Sequence, residues 1–158
     1  EWESATAPAK NAGIRIAYMR MGIVLHPSGG MLKRVLLRFR MGFGGRLGKG
    51  TQSMSWITLR DAVAAFRFVS ETDNLSGPVN LCASEGSTNN DFTIALGKAL
   101  RRPTLLPVPS KAIKLMVGTE LAEAILGGVF MDASKLLRSG FTFEDPNLAQ
   151  ACWQLCQK

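Results

Sequence analysis

Five glycines fall within the nine residues 42–50, and this basic stretch runs into the apolar segment Ser55-Trp56-Ile57 and then into Thr58-Leu59-Arg60-Asp61. Glycine loses more backbone freedom on folding than any other residue, so such density rules out a packed helix or strand there. It points to tight turns or to close backbone approach, and marks the working face of the chain. Two known phosphate cradles can be tested against it. A Walker loop needs a glycine, four residues, then Gly-Lys-Ser/Thr, but Gly48-Lys49 is followed by Gly50 and has Phe43 at the leading glycine position. The dinucleotide fingerprint fails as well, because Gly42-x-Gly44 places Leu47 at the third glycine.

With 158 residues and an apolar fraction of 46%, the chain suits one domain with its own core. A formal charge of +7 permits nucleic acid, an acidic membrane surface or a phosphorylated ligand as partner and selects none of them. Cys82, Cys152 and Cys156 are odd in number and lack zinc spacing, which predicts reduced thiols in a cytoplasmic protein. No apolar run reaches the length of a membrane span, and Glu1-Trp2-Glu3 lacks the basic start of a secretion signal. The chain opens without methionine in what reads as a helix body, and the expectation is a fragment or a cleaved chain.

The pattern predicts a helix over 2–12, a turn at Gly13, and an apolar strand over 14–19. Helix, glycine turn and buried strand form the αβ half of a βαβ unit and imply a parallel sheet. Apolar residues at 31, 32, 35, 36 and 39 give a helical stripe, with Lys33, Arg34, Arg38 and Arg40 on the other sides. Residues 51–59 carry strand propensity, and Thr58 with Asp61 caps a helix reaching Ser70 whose apolar face is Ala62, Ala65, Phe66 and Val69. A short strand over 79–82, a polar loop and a helix over 90–100 follow. The prolines make 104–109 an edge or a loop, and the tail is mostly helical, with Asp132 and Asp145 as caps. The fold class is therefore α/β, with a soft boundary near residue 83 between an αβ part, 1–83, and a helical part, 84–158.

The only histidine, His26, falls on a loop after the first strand, where open parallel sheets bind ligands, although a lone loop histidine is more often a solvated one. A Ser28, His26, Asp61 relay is disfavoured because no Gly-x-Ser-x-Gly elbow is present. Tyr18 has no lysine four residues on and reads as packing. The basic helix with Arg46 and Lys49 forms a candidate anion or RNA patch, yet aromatic residues for base stacking are sparse and a charged helix face is ordinarily just solvated. Asp61 and Asp91 sit where helix caps are expected. No metal-ligand cluster and no catalytic set emerges.

Several segments in order, IRIAYMRMGIVL, PSGGML, GFGGRLGKGTQSMSWITLRD, STNNDFTIALGKALRRP and LLPVPS, resemble the C-terminal portion of atypical extended short-chain dehydrogenase/reductases of the nucleoside-diphosphate-sugar epimerase, or cell-division-inhibitor-like epimerase, family. The resemblance covers nearly the whole chain and implies the C-terminal half of a Rossmann-like parallel sheet plus a mostly helical substrate subdomain. It makes Met21, Gly22, Ile23 and Val24 the contacts to the nicotinamide of NAD or NADP, and places Gly44, Gly45, Gln52 and Trp56 at the substrate cleft. Thr58 stands where the family pattern commonly has a histidine after Trp-Ile.

The implied parent is an NAD(P)-dependent isomerase or oxidoreductase acting on a small molecule, with a nucleotide sugar as one candidate. Its partner would be an N-terminal Rossmann half carrying the glycine-rich turn. This chain has neither that turn nor a Tyr-x3-Lys pair, so it is expected to bind the cofactor weakly or not at all and to be inactive alone. The alternatives are a basic RNA- or anion-binding module and a non-catalytic docking domain.

Overall fold

The computed structural model describes residues 3–157. Trp2, placed by the sequence at the start of the first helix, lies outside the described residues. That helix is short: a 3-10 turn at Ser4–Thr6 leads into α1, Ala7–Asn11. The first strand begins three residues later than its sequence predicts and continues past Met19, as β1, Ala17–Met21, and β2, Ile23–Leu25. Ile14 and Arg15 precede the ladder, which Ile16 O enters by accepting from Gly77 N at 2.8 Å, and Arg15 serves a helix end instead. Its guanidinium donates to the carbonyls of Val69, Ser70 and Leu75, closing the carboxyl end of α3, Leu59–Glu71, whose last carbonyls have no helical partner.

The sheet is parallel and built in two short pieces. β1 pairs with β4, Gly77–Leu81, in the register Ala17 to Gly77 through Met21 to Leu81, and β2 pairs with β3, Trp56–Thr58. The partner changes at Gly22. Its amide donates to Leu81 O at 3.0 Å and the next amide, Ile23, donates to Ser55 O at 2.8 Å. A Cβ at Gly22 would stand 2.9 Å from Ser55 O, so the close crossing needs glycine. The predicted strand over 51–59 shrinks to three residues because its first part lies between two loops instead of strands. Ser53 bridges Thr88 and Met54 bridges Val129.

Helices cover this frame. On α2, Gly30–Arg40, Leu32, Leu36 and Phe39 are buried and the four basic residues point outward. α3 buries Ala62, Ala65 and Val69, while Phe66 lies on its outer face at 52% exposure. The outward turn follows from spacing, since residue 66 shares a side with Leu59 and Val63 and not with 62, 65 and 69. α4, Asn89–Leu100, opens on a complete capping box, with Thr88 as N-cap and Asp91 answering from the third helical position.

The tail holds α5, Ser110–Val117, α6, Thr119–Gly127, α7, Ser134–Arg138, and α8, Leu148–Cys156. α8 is capped by Asn147, not by Asp145, which is held elsewhere as described below. One core gathers Leu25, Leu32 and Trp56 with Phe92, Leu96 and Leu148; a second gathers Ile57, Val69 and Val79 with Leu136, Phe141 and Phe143. Each core draws on both sides of residue 83.

The glycine-dense loop approaches the chain's own backbone. Leu47 forms a parallel bridge to Val108, and a Cβ at Gly45 would fall 1.7 Å from Leu106 O. Gly45→Ala is therefore expected to destabilise by about 1–3 kcal/mol or to prevent folding. Gly127→Ala, where an added Cβ meets nothing within 4 Å, should be neutral or slightly stabilising. Urea unfolding of the two variants side by side checks this, and equal midpoints would remove the close-approach account of the loop.

Candidate functional site

A cavity of about 350 Å³ lies at the carboxyl end of β1, where the pairing passes from β4 to β3. Met21, Gly22 and Ile23 border it on the sheet side and Met31 enters from α2. Gln52 through Ser55 form a second wall, and Ile125 with Gly128, Val129 and Met131 form a third. The walls are stitched through Ser55, whose hydroxyl donates to Val129 O at 2.9 Å and accepts from Met131 N at 2.8 Å. Leu47 and Asn89 complete the lining, which among the described residues contains no charged side chain.

The polar corner is built from three residues. Gln52 Nε2 donates to Leu47 O at 3.1 Å, Leu47 N donates to Asn89 Oδ1 at 2.8 Å, and Asn89 N donates to Gln52 O at 3.0 Å. A carbonyl only accepts and an amide N–H only donates, so these contacts orient both side-chain amides.

Four of the residues singled out in the sequence, Met21, Gly22, Ile23 and Gln52, thus come together around one cavity. Val24 is not among its lining residues; it packs against the second core, on the opposite face of the strand from Ile23 and Leu25. Gly44 lies under the ring of Phe39, Gly45 under Leu106, and Trp56 is buried in the first core with its indole N–H unpartnered. Met31 and Met131 were not singled out by the sequence; Met31 comes in with α2, and Met131 with the folding of 128–131 onto 52–55.

His26 lies on a different cavity, of about 430 Å³, with Thr58, Arg60, Asp145 and Gln154. Its Nδ1 accepts from Ser28 N at 3.3 Å. Asp61, 1% exposed, does not approach it. Besides the expected cap contact of its amide to Thr58, Asp61 accepts from the backbone amides of Glu144 and Asp145, each at 3.0 Å. Asp145 in turn accepts from Thr58 Oγ1 and from Arg60, whose guanidinium is held above its ordinary pKa first by that hydrogen bond. These groups are mutually satisfied and act as a clasp between α3 and the segment ahead of α8. Among the described residues no three His, Cys, Asp or Glu side chains gather at one point, and no helix is long and apolar enough to cross a membrane.

The match to known proteins fits this geometry. Residues 108–155 match the family model described as a domain of unknown function (DUF1731). Epimerase family protein Mb2239 of Mycobacterium bovis is 45% identical over 151 residues, covering 96% of this chain and 50% of the relative. The crystal structure of human epimerase family protein SDR39U1 (isoform 2) with NADPH superposes with a TM-score of 0.88 at 30% identity, over 92% of this chain and 49% of that one. UDP-glucose 4-epimerase from Thermus thermophilus, in complex with NAD, shares the fold with a TM-score of 0.69 at 14% identity, over 98% of this chain and 50% of that one. The fold is that of the C-terminal half of an epimerase family structure. The chain corresponds to the C-terminal portion of these epimerase family proteins and spans about half the length of the curated relatives it matches.

Two predictions follow from the buried groups. Asp61→Asn removes one of two carboxylate acceptors and turns an amide donor toward a backbone N–H, which should cost about 1–3 kcal/mol. Urea unfolding checks the cost, and hydrogen exchange should quicken at the Glu144 and Asp145 amides; unchanged exchange there would contradict the clasp.

Burial, with a smaller contribution from Asp132, pushes the Cys82 thiol up to about 11, and burial, with Cys156 adding, pushes Cys152 up to about 12. Both remain protonated at pH 8, so native alkylation by iodoacetamide should leave them unmodified. Since each titrates above its ordinary 9.0, their stabilising contribution is intact below pH 9 and is lost as pH climbs through the folded values. Rapid labelling of Cys82 at pH 8 would count against its burial.

Proposed function

We propose that this chain supplies the nicotinamide-facing strand end and the substrate cleft of an NAD(P)-dependent epimerase or reductase, and that it is inactive without a dinucleotide-binding N-terminal half. The observation that carries the reading is the cavity at the carboxyl end of parallel strand β1, bordered by Met21, Gly22 and Ile23. In open α/β sheets that position is where ligands bind. Met21 and Ile23 are 44% and 38% exposed, giving an apolar border suited to a flat ring, and Gly22 lets the backbone itself approach. These residues fit the nicotinamide end of NAD or NADP. When bound, that ring would give or take hydride.

The lining offers no cation for a pyrophosphate, so the dinucleotide's phosphates need a second binding element, for which the glycine turn of the N-terminal half is the natural source. This chain's residues would bind and orient: Met21 to Ile23 against the ring, Gln52 on the substrate side, and the apolar walls excluding water. A small-molecule substrate follows from the cavity's size, and a cytoplasmic location remains part of the same reading. The structural neighbours include enzymes for nucleotide sugars.

A second reading has one observation in its favour. Lys33, Arg34, Arg38 and Arg40 are exposed on α2 and pair with no carboxylate among the described residues, as a face for RNA or another polyanion requires.

Calorimetric titration with NADPH tests both. The isolated chain should bind roughly hundredfold more weakly than the same chain joined to an N-terminal half carrying a glycine-rich dinucleotide turn. NADPH turnover by the isolated chain, or equal affinity with and without that half, would refute the first reading. Binding of a generic RNA oligonucleotide with a steep loss on added salt would support the second.

A further inference from the structure

The outward side of α2 carries more than charge. Leu32, Leu36 and Phe39 face that helix toward the first core, yet Leu37 and Met41, on the opposite side, are 64% and 54% exposed. Residues four apart on a helix stack on one side, so Leu37 and Met41 form a ridge. Lys33 and Arg40 run along one flank of it and Arg34 and Arg38 along the other. Phe43 extends the ridge past the helix end. There Gly42, at φ 82°, donates to Phe39 O at 3.0 Å and Phe43 donates to Arg38 O at 2.9 Å, the two bonds of a Schellman motif. The motif holds Phe43 against the last helical turn while leaving it 61% exposed. Single exposed apolar residues are ordinary, but these three adjoin among cations, and neither core includes them.

The charge on this face is unopposed. Lys33, Arg34, Arg38, Arg40, Arg46 and Lys49 are exposed, and no Asp or Glu occurs in the sequence between Glu3 and Asp61. None of the six pairs with a carboxylate among the described residues. On the flank of Lys33 and Arg40 a recess of about 340 Å³ opens, lined also by His26, Ser28 and Leu37 and, among the described residues, by no carboxylate. Its donors suit a phosphate, and Leu37 gives it an apolar border. RNA would use the cations but has no use for an aliphatic ridge, and Phe43 is a single ring where stacking needs several. A bilayer uses both features, since cations meet its anionic headgroups while apolar side chains enter the boundary with the acyl chains.

We propose that α2 and the turn after it form a docking surface for an anionic phospholipid bilayer, with Leu37, Met41 and Phe43 entering the interface and the flanking lysine and arginines meeting lipid phosphates. The helix lies on the membrane and does not cross it. This inference goes beyond both readings above: it is independent of the strand-end cavity, and it assigns the cations to lipid and not to RNA.

Co-sedimentation with vesicles tests it, using the 158-residue chain alone and joined to the N-terminal half of the NADPH titration. Both forms should bind phosphatidylcholine vesicles containing one-third phosphatidylserine about tenfold or more tightly than vesicles of phosphatidylcholine alone. Leu37→Gln with Phe43→Ser changes exposed side chains and keeps every cation, so it should weaken vesicle binding about tenfold and leave the binding of an RNA oligonucleotide unchanged. Arg34→Gln with Arg38→Gln should weaken vesicle binding about twentyfold, each cation contributing about fivefold.

Equal binding to the two kinds of vesicle, binding unchanged by Leu37→Gln with Phe43→Ser, or binding lost when the N-terminal half is joined would each overturn the proposal. An RNA oligonucleotide held more tightly than the phosphatidylserine vesicles at equal phosphate concentration would overturn it in favour of RNA. No cofactor enters this experiment, so its outcome is separate from that of the NADPH titration.

Discussion

The change of partner at Gly22 organises the rest of the molecule. One stretch of chain serves two parallel pairings in succession, and consecutive amides, Gly22 and Ile23, close on Leu81 and Ser55. β4 and β3 engage different lengths of that stretch, and the cavity lies at the change of partner, bordered by Met21, Gly22 and Ile23. The crossing is tight enough that a side chain at Gly22 would meet Ser55 O and Cys82 Cβ.

The second constraint is the clasp. A buried carboxylate is tolerated when its oxygens are satisfied by fixed donors, and Asp61 receives two backbone amides while Asp145 receives a hydroxyl and a guanidinium. The tether seats Phe141 and Phe143, which contact each other edge to face at 4.9 Å, with Phe68 against Phe141 at 5.4 Å. Polar contacts thus set the position and aromatic burial supplies the larger stabilising area. Arg15 does the corresponding job at the other end of α3, so that helix is fastened at both termini by residues distant in sequence.

What the sequence revealed follows the range of the forces involved. Helical stripes and caps are local, and the α2 face, the Thr58 cap and the α4 helix were legible for that reason. The parallel strand was legible from its apolar run and the glycine turn ahead of it, but its bounds were not, and Arg15 serves a helix end that no local pattern reveals. Asp61 was read as a cap by position, whereas its carboxylate reaches 83 residues ahead to the Glu144 amide. In the cavity, Met21, Gly22 and Ile23 came from the family resemblance, while strand alternation would have set Val24 on the opposite face. Asn89 is fixed at the cavity by Leu47, whose amide donates to its Oδ1 across 42 residues of sequence.

The glycine-dense loop illustrates the same distinction at the site itself. Glycines that read as tight turns or close backbone approach do approach backbone, that of the chain's own segments, with Gly45 against Leu106 and Leu47 bridged to Val108. That packing has a functional consequence nonetheless, because it holds Leu47 where one residue can fix two side-chain amides. The loop's basic residues, Arg46 and Lys49, are absent from the cavity lining, and so are those of α2. The net charge of +7 therefore describes the outer surface, while the cleft is neutral and methionine-rich.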